Sequence, residues 1–225
     1  MMKKNVFVVL CAIVASALIL LACGEDSTGP SGPQGDDWMP LAIGNHWQSV
    51  IEGYLTAAGD TTDVDGTIDR QVMGIVSHDQ GFDVWEFRTI SSMTFYPPQG
   101  GSYSLSETTL VYLYADSLEV RIYEDTLTAD FELVLDLPLE VGNTWYSYPD
   151  SSWISEVISL TASVTVPAGS FTGCAHIEGS DPAQPGDTYN SYLCRGVGIV
   201  KEVVDEDDVL ADSHVEMELE SYDLN

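Results

Sequence analysis

The side chains with which this chain could do chemistry are four cysteines, four histidines and a large excess of carboxylates. The histidines His46, His78, His176 and His214 are scattered, and none lies in a metalloprotease pair or beside a nucleophile turn. Ser170 lies in Ala-Gly-Ser-Phe, which is not a Gly-x-Ser-x-Gly elbow. The sequence therefore predicts no catalytic set and no cofactor. A hydrolase that uses dispersed carboxylates stays as an alternative, because so many acids make suitable pairs common.

Cys23 lies in the run Leu-Leu-Ala-Cys-Gly at 20–24. This run ends an apolar stretch, which itself follows two lysines near the start of the sequence. This layout resembles the lipobox of bacterial lipoproteins, which a signal peptidase cuts just before the cysteine. The resemblance implies a signal peptide at 1–22 and acyl chains on Cys23, and two or more chains give stable anchoring. The alternative is an uncleaved transmembrane helix over 6–22, near the lower limit of the ~20 apolar residues that a bilayer crossing needs.

The residues after Cys23 bear on where the lipoprotein would go. Gly24 is not the aspartate that retains some lipoproteins in the inner membrane, so the resemblance implies the outer membrane. Glu25 and Asp26 resemble the acidic patch that sends some lipoproteins to the cell surface. No large apolar residue occurs in 24–37, which predicts a flexible tether over 23–37. Residues 38–225 then form the folded part, with a length that suits one domain.

Acidic residues far outnumber basic ones. The chain has 7 Lys and Arg against 36 Asp and Glu, a formal net charge of −29. Cleavage before Cys23 would remove two of the basic residues and no acid, which gives a net charge of −31. This balance excludes nucleic acid as a partner, because binding it needs a basic face. Anionic lipid would also repel the domain, so the acyl chains would hold it at the membrane.

Cys174 and Cys194 are predicted to form a disulfide. The predicted strands 174–179 and 189–195 flank a proline-rich loop, and Gln184, the midpoint between the cysteines, lies at its centre. Residues equidistant from a hairpin turn lie opposite each other, within disulfide reach, and exported proteins keep disulfides. The alternative is a reactive or metal-binding thiol pair, with His176 two residues from Cys174.

One acidic segment resembles a calcium loop. Asp63, Asp65 and Asp69 lie around an Asp-x-Asp-Gly core, in which the glycine would give the sharp turn. Thr61 stands at the first ligand position and Val72 at the place of the bidentate acid, so two key oxygens are missing. These three aspartates are a weak calcium candidate, and an acidic hairpin tip is the favoured alternative.

Period-two alternation recurs along the chain, whereas helical periodicity is hard to find. The sequence therefore predicts an all-β domain with an antiparallel sheet of about ten strands, as a curled half-barrel, a barrel or a sandwich. The clearest strand is the last, in which Val215, Met217 and Leu219 alternate with glutamates. Other alternating runs are 85–88, 131–136 and 160–166, and turns are predicted at 78–81, 97–101, 167–169, 182–186 and 205–208.

An internal echo links two distant segments. Pro-Leu-Ala-Ile-Gly-Asn-His-Trp at 40–47 recurs as Pro-Leu-Glu-Val-Gly-Asn-Thr-Trp at 138–145. In each copy Gly-Asn supplies a left-handed turn, and the tryptophan begins a strand with a large apolar anchor. The echo predicts either a duplicated half-sheet or the same corner used twice, with coincidence of a common turn as the alternative.

The same motifs carry a family resemblance over most of the region after Trp38. The Pro-Leu-x-x-Gly-Asn-x-Trp segments, Val-Pro-Ala-Gly-Ser-Phe at 166–171 and Gly-Val-Gly-Ile-Val-Lys at 196–201 resemble a group of uncharacterised bacterial secreted proteins and lipoproteins. Some members are similar to the curled sheet of the lipoprotein-sorting (Lol-type) carriers, which implies a possible lipid or hydrophobic-ligand role. No convincing helix is found here to fill the concave side of such a sheet.

Three functions follow from the sequence. The first is a non-enzymatic, membrane-anchored envelope lipoprotein whose β domain binds a ligand or an envelope protein through an aromatic-rich surface. The second is a carrier of lipid or another hydrophobic ligand, which predicts an open apolar concavity. The third is the hydrolase with dispersed acids, which predicts a buried carboxylate pair in a cleft.

Overall fold

A computed structural model describes residues 38–147, 153–208 and 211–225. The predicted signal peptide, Cys23 and the predicted tether lie outside the described residues. Among the described residues, no helix is long and apolar enough to cross a membrane. The described ranges hold twelve strands and no helix. They are β1 (His46–Ala57), β2 (Asp60–Ser77), β3 (Asp83–Tyr96), β4 (Tyr103–Ala115), β5 (Glu119–Tyr123), β6 (Glu132–Asp136), β7 (Thr144–Tyr146), β8 (Ile154–Val166), β9 (Gly169–Asp181), β10 (Gln184–Cys194), β11 (Gly198–Asp208) and β12 (Ala211–Asp223).

All twelve strands belong to one antiparallel sheet. Strands that are consecutive in sequence pair with each other, except β6 and β7, and β12 returns to pair with β1. The two edges of the sheet are therefore β6 and β7. The edges approach each other where the Leu133 amide donates to the Ser147 carbonyl at 2.8 Å, which leaves a nearly closed barrel. The predicted all-β, single-domain antiparallel fold is confirmed.

The strand alternation is confirmed where strands are long. Val215, Met217 and Leu219 are each 1 % exposed, and the glutamates between them face outward. The alternation in 131–136 fails because a register shift opposite Val120 and Arg121 lets Val134 turn into the core as well. The turn predicted at 205–208 is wrong: these acids are the end of β11 and pair with β12.

The two echo segments build the same corner. In the first, the Gly44 amide donates to Val72 O, the Val72 amide donates to Asn45 O, and the Asn45 side-chain amide donates to Pro40 O. In the second, Gly142, Val157, Asn143 and Pro138 make the same three bonds. The corners open β1 and β7, which are six strands apart in the sheet. This geometry supports two duplicated six-stranded halves, β1–β6 and β7–β12.

The interior holds two apolar clusters. The larger one takes residues from every strand of the barrel, including both corner tryptophans, Trp47 and Trp145. The smaller one lies between the long strands β1, β2, β3, β11 and β12 and includes Ile51, Phe95 and Met217. Most of these side chains are less than 5 % exposed, so the protein's own residues fill the interior.

The β8–β9 hairpin closes the interior without a helix. Three register shifts between Val157 and Ser163 bend it away from a straight ladder. Its turn then reaches β12, where the Ala168 amide donates to the Leu219 carbonyl at 2.9 Å. Val164 and Val166 enter the larger cluster. The Val-Pro-Ala-Gly motif is therefore a cap on the apolar core.

Candidate functional site

Cys174 and Cys194 form the predicted disulfide, with their Cα atoms 4.2 Å apart. The register that pairs Ala175 with Leu193 places the two cysteines opposite each other, as predicted. The turn itself is shorter than predicted, because it lies at 182–183 and Gln184 already pairs with Asp181; a register shift between Gln184 and Thr188 then gives the expected pairing. A closed loop of this size stabilises the fold by about 3 kcal/mol, mainly by restricting the unfolded chain. A metal-binding or reactive thiol pair is excluded, because both sulfurs are in the bridge. His176 instead stacks on Tyr192, with ring centroids 4.5 Å apart.

The other histidines also have separate structural partners. His46 contacts Asp69 at 2.6 Å, and His214 contacts Asp205 at 2.6 Å. His78 is buried between the rings of Phe82 and Tyr123. Within the described ranges, no three histidine, cysteine or acidic side chains are placed to hold a metal ion.

Asp63, Asp65 and Asp69 lie along the outer face of strand β2, and not in a loop or at a hairpin tip. The turn between β1 and β2 is formed by Ala58 and Gly59, both with positive φ. Neighbouring side chains on one face of a strand are about 7 Å apart, so they cannot wrap around an ion as an EF-hand loop does. The favoured hairpin-tip interpretation and the loop geometry are both wrong, because the acids form a strand ladder.

Strand register brings these aspartates beside acids and aromatic rings of other strands. In one cross-strand row, Tyr96, Asp63, Tyr54 and His214 are successive neighbours from β3 to β12. In the next row, Asp65, Glu52 and Glu216 lie directly side by side on β2, β1 and β12. We call this surface the outer acidic face, made of Glu52, Tyr54, Asp63, Asp65, Asp69, Tyr96, Lys201, Asp205, His214, Glu216 and Glu218.

A single lysine offsets part of this charge. Lys201 Nζ donates to Glu216 at 2.6 Å and to Glu218 at 2.8 Å. The hydrogen bond from Lys201 lowers the pKa of Glu216. Partial burial opposes the charge on Lys201, but the two carboxylates outweigh it and raise the pKa of Lys201. No salt bridge within the described ranges reaches Glu52, Asp63 or Asp65, which are exposed.

The two tyrosines of the outer acidic face contact other side chains of the face. Tyr54 stacks on His214 with ring centroids 5.9 Å apart. A hydrogen bond to Asp65 raises the pKa of Tyr96, whose side chain is 43 % exposed. The face therefore presents aromatic rings directly beside carboxylates that form no salt bridge in the described residues.

A second polar feature lies inside the barrel and was not predicted from the sequence. Arg70 Nη2 donates to Glu202 Oε2 at 2.8 Å, and the Tyr189 hydroxyl donates to the other Glu202 oxygen. Arg70 is 2 % exposed and Glu202 is fully buried. Burial and the Glu202 carboxylate raise the pKa of Tyr189 well above its ordinary value. The sequence does contain one indication that Arg70 is buried. It lies between Ile68 and Val72, at a position where the alternation of the strand directs the side chain inward.

The ion pair belongs to a polar layer between the two apolar clusters. On β2, Arg70 separates Ile68 of the smaller cluster from Val72 of the larger one, and on β11 Glu202 likewise separates Val204 from Val200. Other buried polar side chains at this level are Ser49, Thr89, Ser91 and Ser191. The layer is sealed from solvent, so it is a structural element of the interior.

Comparisons with solved structures found distant similarity. A "putative lipoprotein" from Parabacteroides distasonis is 15 % identical, with 85 % of this chain and 100 % of that chain covered at a TM-score of 0.42. A "putative exported protein with YmcC-like fold" from Bacteroides fragilis is 15 % identical, with 81 % and 96 % covered at a TM-score of 0.40. No protein-family model and no curated protein matches the chain.

Proposed function

We propose that the protein is a non-enzymatic binding module of the cell envelope, held at the membrane by lipid on Cys23, and that its outer acidic face binds a cationic partner. The observation that carries the proposal is the row Asp65, Glu52 and Glu216 on three adjacent strands. Like charges directly opposite each other destabilise a sheet. Lys201 offsets the charge of Glu216, but no cation of the described residues forms a salt bridge with Glu52 or Asp65, and a bound cation would relieve their repulsion.

The chemistry of the face favours an organic cation over a metal ion. The carboxylates of the face are spread along the strands. No three histidine, cysteine or acidic side chains of the described residues surround one point at which a metal ion could bind. Tyr54 and Tyr96 add aromatic rings beside these carboxylates, and aromatic faces attract ammonium and guanidinium groups. A polypeptide segment that carries several lysines or arginines matches both features. The net charge of −29 would also speed its association.

The proposal predicts that hexalysine binds the folded domain and that neutralising the unpaired acids weakens binding. In the triple variant Glu52→Gln, Asp63→Asn and Asp65→Asn, we expect binding about tenfold weaker, because three exposed charge contacts contribute about 0.5 kcal/mol each. Isothermal titration calorimetry at low and physiological ionic strength measures the difference.

A matched control separates the face from the overall charge. The variant Asp79→Asn, Glu124→Gln and Asp130→Asn removes the same charge from exposed positions elsewhere. We expect this control to weaken binding less than twofold. Equal losses in the two variants would show attraction by net charge alone and would contradict a specific face.

Anchoring by Cys23 is tested separately. We expect labelled palmitate to be incorporated into the expressed full chain and to be lost in Cys23→Ser, because the thiol is the only acceptor in the lipobox-like run. Because the predicted cleavage lies just before Cys23, the variant should also keep residues 1–22, whereas the purified wild type should begin at Cys23. Palmitate labelling that persists in the variant, or an intact N-terminus in the purified wild type, would contradict the anchor.

The motifs that resemble the secreted and lipoprotein group support membership of it, since they build the two corners and the cap. The carrier alternative requires an open apolar concavity, whereas the described interior is filled by its own side chains. The hydrolase alternative requires two carboxylates in one cleft. The buried acids of the described residues are Asp181 and Glu202, and both oxygens of Glu202 are already held by Arg70 and Tyr189. Neither alternative gains a supporting observation.

A further inference from the structure

Among the described residues, the first part of strand β4 is paired on one side only. Residues from Tyr103 to Val111 pair with β3, whereas β5 begins to pair with β4 at Tyr112. In an antiparallel strand, alternate residues direct their N–H and C=O groups away from the paired neighbour. The segment therefore presents a row of backbone donors and acceptors, and every residue from 103 to 108 is exposed.

This edge lacks most of the devices that protect sheet edges in soluble proteins. Its sequence, Tyr-Ser-Leu-Ser-Glu-Thr-Thr-Leu, contains no proline, no lysine and one charge. Tyr103 and Leu105 on one face and Leu110 on the other are each more than 40 % exposed. In a chain with 36 acids, an almost neutral exposed edge with apolar side chains is a template for strand addition.

The single charge on the edge specifies what can pair with it. Glu107 lies on the same face as Tyr103 and Leu105, and no basic side chain within the described ranges forms a salt bridge with it. An added strand would place one residue directly opposite Glu107, where a lysine or arginine is favourable and an acid is not. A second copy of this chain is disfavoured, because each copy carries a charge of −29.

We infer that the free edge of β4 binds an extended segment of a partner polypeptide by antiparallel strand addition. The segment has a basic residue opposite Glu107 and apolar residues opposite Leu105 and Tyr103. Read from its N-terminus, its pattern is basic-x-apolar-x-apolar, with hydroxyl side chains suited to the positions opposite Ser106 and Ser104. This site is independent of the outer acidic face, since it depends on backbone pairing as well as on charge.

The probe is the capped peptide Thr-Arg-Thr-Ile-Thr-Tyr-Thr, titrated into the folded domain by calorimetry. We expect one-to-one binding, with amide hydrogen exchange slowed in 103–110. N-methylation tests the backbone pairing. One peptide is methylated at the amides of Arg, Ile and Tyr, and the other at the amides of the intervening Thr residues. Only one of these two sets of N–H groups points at β4, so one peptide should lose binding and the other should keep it. Equal affinity of the two methylated peptides would overturn the inference.

Charge exchange tests the assignment of Glu107. We expect the peptide with Glu in place of Arg to bind about tenfold more weakly to the wild type, and Glu107→Lys to reverse this preference. Asp130→Lys makes the same charge change at an exposed position away from the edge and should leave the preference unchanged. Equal effects of the two substitutions would overturn the assignment. A dimer of the wild type that the peptide dissociates would assign the edge to a second copy and would also overturn it.

Discussion

Replacing Arg70 by methionine should lower the free energy of unfolding by about 3–5 kcal/mol, a large fraction of the stability of a domain. Methionine fills a similar volume, but it leaves Glu202 fully buried without its cation. The remaining Tyr189 hydroxyl donates one hydrogen bond, which does not offset the cost of an isolated buried carboxylate. Urea denaturation followed by tryptophan fluorescence measures the loss.

The double variant Arg70→Met with Glu202→Leu is the control for this prediction. It removes both charges, so we expect it to be more stable than Arg70→Met alone, since well-packed apolar side chains often replace a buried ion pair without loss. A double variant that is less stable than the single variant would mean that the loss of stability comes from packing at Arg70. It would then not come from leaving the charge of Glu202 buried without its cation.

The same cluster predicts a loss of stability in alkali. The pKa of Tyr189 is raised in the folded state by burial first and by Glu202 second, above the ordinary value of 10.0. The folded protein therefore keeps the phenol proton at a pH where the unfolded chain has lost it, and stability falls as the pH rises above about 10. Tyr189→Phe should reduce this pH dependence. An unchanged slope in the variant would assign it to other groups.

The local pattern of the sequence was enough for the class of fold and for one covalent link. In a strand with one face in solvent, apolar and polar residues alternate with period two. The buried residues Val215, Met217 and Leu219 could therefore be identified from the sequence alone. The Cys174–Cys194 disulfide followed from equal distances to one turn. The echo around Asn45 and Asn143 identified two equivalent corners. Each of these features depends on neighbours in sequence, or on a single hairpin.

The candidate site could not be predicted, because it depends on register between strands that are distant in the sequence. Glu52 and Asp65 already lie opposite each other in the β1–β2 hairpin, but Glu216 joins them only when β12 returns to pair with β1. The pairing of Arg70 with Glu202 likewise spans the barrel interior. Single-strand periodicity gives the face of each residue but not its partner across the sheet. The strand ladder at Asp63 was not predicted, because its Asp-x-Asp-Gly letters are also those of a calcium turn and of the favoured hairpin tip.

The glycine of that segment, Gly66, has a different role that leads to the second large prediction. It lies inside strand β2, and a Cβ atom there would be 2.2 Å from the backbone oxygen of Ser92 on β3. A Cβ atom at Gly53 on β1 would likewise be 2.2 Å from the backbone oxygen of His214 on β12. These contacts are with backbone atoms and cannot be relieved by rotating a side chain. Both glycines let neighbouring strands curl closely over each other.

We expect Gly66→Ala to destabilise the fold by about 3 kcal/mol, because the strand must move away from β3 to admit one methyl group. Gly74→Ala is the matched control on the same strand, since a Cβ there meets nothing within 4 Å. That change should stabilise by about 0.5 kcal/mol through the lower entropy of the unfolded chain. Thermal and urea unfolding of the two variants measure the difference. Similar stabilities would mean that β2 and β3 are not in such close contact, and the register that builds the outer acidic face would then need revision.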